Sequence, residues 1–146
     1  MANMANKSDW VCWNNDAYTL MLNCGVYKYM PEKIALLKGA FKDFMRRAMP
    51  DYNIVIDGTN INVSRRKSIL TTIRKVLEEK NLSENLYDTT CVNFGPGTSL
   101  SLNRRLADSR GQDVETWRRV HESFRTIFEV PTIEENFTSI VDVGNF

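Results

Sequence analysis

Short β-favouring runs alternate along the chain with longer stretches in which apolar residues return every three or four positions. Trp10-Val11-Cys12-Trp13, Ile54-Val55-Ile56, Asp88 to Phe94 and Ser139 to Val143 are the β-favouring runs. Between them, Ile34, Leu37, Phe41 and Phe44 recur at helical spacing, as do Ile69, Leu70, Ile73, Val76 and Leu77, and then Val114, Trp117, Val120, Phe124 and Ile127. Shorter helices are expected through Tyr18 to Leu22 and through Leu100 and Leu106. The punctuation agrees with these elements. Asn23-Cys24-Gly25 is a stop signal, Pro31-Glu32 an opening, Thr98 or Ser99 a cap, Asp113 another cap, and Lys80-Asn81 an end. Strand, helices, strand, helix, strand, helices, strand is the order of an α/β fold with a mainly parallel sheet and crossover helices. Ile54-Val55-Ile56 carries no polar residue, so it is expected to be a central strand covered on both faces.

Composition narrows this picture. At 146 residues the chain suits one domain, spanning 10–146 after a disordered or atypical N-terminus at 1–9. A formal net charge of +1 announces neither a nucleic-acid binder nor a membrane-surface protein, so any electrostatic function must be local. Three cysteines and one histidine, without metal-ligand spacing, suit reduced thiols rather than a disulfide framework or a zinc site. Neither a signal-peptide core nor a membrane-length apolar run is found, which implies a cytoplasmic protein with no membrane partner.

Candidate chemistry collects at strand ends. In open α/β sheets ligands bind at the carboxyl ends of strands, where Asp57-Gly58-Thr59-Asn60 follows the second run and Asp16 follows the first. Asp57 and Asn60 read equally as residues that shape and cap a strand-to-helix turn. Tyr27 and Tyr29 around Lys28 suit either base stacking or cover for a helix end. Gly95-Pro96-Gly97-Thr98-Ser99 lacks the spacing and lysine of a G-x-x-x-x-G-K-[ST] phosphate loop and reads as a capped turn. Arg104, Arg105 and Arg110 lie in a polar segment expected to form a flap, where guanidinium forks suit phosphate oxygens but equally suit water. His121, inside a helical pattern, reads as structural.

Taken together, these residues resemble the kinase domain of phage-type polynucleotide kinases and related P-loop kinases. The resemblance is carried by Asn14-Asn15-Asp16-Ala17-Tyr18, by Ile56-Asp57-Gly58-Thr59-Asn60 with Arg65-Arg66, by Arg104 and Arg110 at the places of lid arginines, and by the tail from Phe124 to Val143 with Phe128-Glu129-Val130-Pro131-Thr132 and Glu134-Glu135. It implies a three-layer α/β/α fold lacking the first, P-loop strand. It also implies transfer of the ATP γ-phosphoryl to a nucleic-acid 5′-hydroxyl, with ATP and Mg2+ as cofactors and a nucleic-acid 5′ end as partner. Asp16, Arg104 and Arg110 would be catalytic, and Asp57, Thr59, Asn60 and Arg65 would bind substrate. No protein metal ligand is implied. The chain departs from the family where the P-loop belongs, and Thr19 stands where relatives often carry an arginine. The resemblance therefore implies a chain inactive by itself, or a non-catalytic binding or interaction module, with self-association through open sheet edges.

Overall fold

The computed structural model describes residues 9–28 and 30–143. Tyr29, most of the 1–9 segment and the last three residues lie outside that set. The chain divides into two compact units, one drawn from Met1–Thr59 and Thr72–Leu82, the other from Asn60–Thr71 and Ser83–Phe146. Each is built on one pair of parallel strands, so the fold is mixed α/β, as the pattern predicts.

In the first unit, β1 (Trp10–Asn14) leads into α1 (Asn15–Leu22), a 3₁₀ turn at Pro31–Lys33 and α2 (Ile34–Ala48), and the chain returns as β2 (Asn53–Asp57) beside β1. The expected stop at Asn23 is present. Cys24 and Gly25 take φ of +53° and +85°, and the Gly25 N–H closes on the Leu20 carbonyl at 2.7 Å. Trp13 is 1 % exposed and stacks on Tyr18 at 3.9 Å, with Phe41 and Phe44 tilted against it at 5.2 and 5.4 Å. Met45, Met49, Val76 and Leu77 complete this core. The last two come from α3 (Val63–Glu79), whose C-terminal half belongs to this unit. Lys42 and Arg46 of α2 both bond Glu79, and these hydrogen bonds hold its carboxyl below the ordinary range.

In the second unit, β3 (Thr90–Asn93) pairs with β4 (Ser139–Asp142), and α4 (Ser99–Ala107) and α5 (Val114–Ile127) lie between them in the chain. The polar caps are where the sequence places them. Thr98 caps α4 in a capping box with Ser101, and Asp113 caps α5 by accepting the Thr116 N–H at 2.7 Å.

Two expectations are corrected. The run Ile54-Val55-Ile56 is not central, because β2 borders β1 alone among the described strands and Val55 is 44 % exposed. A β-branched run records a preference for extended backbone, not how many strands will flank it. Arg104 and Arg105 are not in a flap either. They end α4, where Leu102, Arg105 and Leu106 are half-buried and the Arg105 guanidinium lies 4.9 Å from the Trp117 ring centroid. A long arginine stem covering an aromatic ring substitutes for the apolar stripe that the pattern lacks.

Candidate functional site

The carboxyl end of the β1–β2 pair carries most of the candidate residues of the first unit. Parallel register sets Asn14, not Asp16, opposite Asp57, and Asn14 Nδ2 donates to Asp57 Oδ2 at 2.6 Å. Asn14 Oδ1 accepts the Ala17 N–H at 2.7 Å, so the same side chain caps α1. Asp16 falls in the first turn of that helix, half-buried, with the Tyr27 hydroxyl 3.5 Å from its Oδ2. The expected equivalence of Asp16 and Asp57 at two strand ends is therefore replaced by an Asn14–Asp57 pair with Asp16 two residues further along. Asp57, Gly58 and Thr59 are exposed. Thr19, where the resemblance would put an arginine, lines a small cavity of about 60 Å³ with Leu22, Met30, Ile34 and Leu37.

The second unit repeats the device. Asn93 Nδ2 donates to Asp142 Oδ1 at 2.7 Å across the β3–β4 register, and Asn93 Oδ1 accepts the Gly95 N–H at 3.0 Å. An asparagine ends the first strand of each pair, binding a carboxylate across the ladder and a backbone N–H of the next turn. This common geometry could not be read from either strand alone.

Asn60, Arg65, Arg104 and Arg110 belong to the second unit. Arg65 is exposed, and its N–H is capped by Asn62 Oδ1 at 3.0 Å. Arg66 behaves differently. It is 4 % exposed and forms a two-pronged pair with Glu135, itself 3 % exposed, with both contacts at 2.8 Å. Its Nη1 also donates to the carbonyls of Asn60 at 3.2 Å and Glu129 at 2.9 Å. The Arg66 hydrogen bonds hold the Glu135 carboxyl below its ordinary value despite burial. Glu129 Oε2 accepts the Val63 N–H at 2.6 Å, so a protein carboxylate occupies the positive end of α3. The tail from Glu129 to Glu135 therefore braces the first turn of α3. Sequence reasoning missed this, although a lone arginine on the apolar stripe of a helix was the available signal.

Arg104 lies in the last turn of α4, and Arg110 lies in the connection from α4 to α5. Arg104 is exposed, and Arg110 takes φ of +50° with its Nε 3.8 Å from Asp108. The glycine-rich turn before α4 is filled by its own protein. His121 Nε2 lies 3.0 Å from the Thr98 carbonyl, and a Cβ added at Gly97 would stand 3.2 Å from that nitrogen. The Ser101 N–H is already taken by the Thr98 hydroxyl. These residues do not fit a triphosphate cradle. Among the described residues no three His, Cys, Asp or Glu side chains gather at one place, and no helix is long and apolar enough to cross a membrane. No protein-family model matches the chain, and no curated protein matches it.

Proposed function

We propose that the chain is the acceptor-side body of a phosphotransferase of the polynucleotide 5′-hydroxyl kinase type, with a P-loop-kinase-like three-layer fold and with ATP and Mg2+ as donor partners. The observation that supports it most is the Asn14–Asp57 pair at the shared carboxyl end of two parallel strands, with Asp16 following two residues after Asn14 in the first turn of α1. In this reading Asp16 accepts the proton of an attacking hydroxyl, while Asp57, Thr59, Asn60 and Arg65 form the acceptor side. Arg104 and Arg110 offset charge on the transferred group. Residues 1–146 contain no G-x-x-x-x-G-K-[ST] motif, and the glycine-rich turn before α4 is closed by Thr98 and His121. That closure favours a second reading, in which the chain by itself binds an acceptor without turning over.

A binding assay with a fluorescent 5′-hydroxyl oligonucleotide, beside a kinase assay with labelled ATP, tests both. Binding without transfer is expected. Robust transfer would remove the assignment of the glycine turn, and the absence of any binding would remove the acceptor-side reading. In a chain extended by a P-loop segment, Asp16→Asn should lower turnover by roughly 10²- to 10⁴-fold with little change in ATP affinity. Near-normal turnover of that variant would show that Asp16 is not the base.

A further inference from the structure

Parallel pairing leaves every second residue of a strand with both backbone polar groups turned away from its neighbour. The Asn53 N–H donates to the carbonyl of Asp9, one residue before its register partner Trp10. Asn53, Val55 and Asp57 thus direct their backbone groups to β1, and Ile54 and Ile56 direct theirs to the opposite edge. No backbone partner for that edge is found among the described residues. Protected edges carry charge, proline or a bulge, yet Tyr52 to Ile56 has no charged residue and no proline.

We propose that this edge pairs antiparallel with the same edge of a second copy of the chain, about a two-fold axis through Val55. The register is self-complementary. Ile54 stands opposite Ile56 of the second copy, so the outward N–H and C=O of both are satisfied. Val55 meets Val55 of the second copy in the closer, non-hydrogen-bonded pairing, with Cα atoms about 4.5 Å apart, and the exposed face of each is covered. Asn53 stands opposite Asp57 of the second copy, an amide against a carboxylate whose other oxygen already holds Asn14. Tyr52 lies opposite Gly58, a ring over a residue without a side chain. Neighbouring registers are worse. Sliding by two residues one way opposes the carboxylates of Asp51 and Asp57, and sliding the other way sets Val55 against Asp57. The two-stranded sheets of the two copies become one of four strands. This inference rests on the edge of β2; it shares Asp57 with the proposed acceptor side, and sedimentation without oligonucleotide reads self-association apart from acceptor binding.

The test is sedimentation of the full chain across a concentration series, with Val55→Lys and Val55→Glu variants. The native chain should dimerise. Each variant alone should dissociate about tenfold more readily, because like charges then face each other across the axis. Mixing the two variants should restore association. In the double variant Cys12→Ser, Val55→Cys, which removes the thiol that β1 sets beside position 55, mild oxidation should yield a disulfide-linked peptide pair containing position 55 from both copies, the spacing at this pairing being within disulfide reach. A native chain that stays monomeric, a mixture no tighter than either variant alone, or failure of the Cys12→Ser, Val55→Cys variant to link at position 55 would each overturn the proposal.

Discussion

Removal of the Glu135 side chain is the sharpest test of how the second unit is held. Arg66 is buried and spends its guanidinium on two carboxylate contacts at 2.8 Å and on the carbonyls of Asn60 and Glu129. Glu135→Ala strands that charge without its counter-ion and also removes the acceptor of the Thr132 N–H. Breaking one half of a buried pair costs about 3–5 kcal/mol, because the remaining ion keeps its desolvation penalty. Urea unfolding followed by circular dichroism should show a loss of that size at neutral pH. Glu135→Gln keeps the shape and should lose less, about 1.5–3 kcal/mol, the worth of a charged hydrogen bond. The double variant Arg66→Met, Glu135→Leu should recover roughly half of the loss or more, since it removes both charges together. The pH dependence has a definite sign. The folded Glu135 carboxyl lies below its ordinary value of 4.5, so its contribution is complete above that pH and fades as pH falls through the lowered folded value. The difference between native chain and Glu135→Ala should shrink in the same window. A loss under about 1 kcal/mol, or a double variant no more stable than the single one, would refute the brace.

Trp13→Ala should cost about 3–5 kcal/mol, as the side chain is fully buried against Tyr18, Phe41 and Phe44 and leaves a cavity; thermal or urea unfolding measures it. Gly97→Ala should destabilise by about 1–2 kcal/mol because φ is +80° there and His121 leaves little room, whereas Gly39→Ala, in the middle of α2 with open space around it, should be neutral or stabilising. Burial pushes the Cys91 thiol above its ordinary value. Timed alkylation with mass spectrometry should therefore label the exposed Cys12 and Cys24 before Cys91.

The sequence by itself determined the elements whose signals are local. The stripes of α2, α3 and α5, the caps at Thr98 and Asp113 and the stop at Asn23 depend on residues within a turn or two of each other, and the structure has each of these features. The chemical class of the strand ends was equally legible, because a polar turn after a β-branched run needs no distant partner to be recognised. Tertiary structure decided what depends on pairing across the chain. It set Asn14 rather than Asp16 against Asp57, 43 residues away, because register is fixed by the ladder and not by the order of acids along a strand. It made Arg66 a buried brace on Glu135, 69 residues away, a role that only a carboxylate arriving from the tail could give it. It left β2 with a neighbour on one side only, because the hydrophobic pattern of a strand reports what its faces prefer and carries no information about its edges.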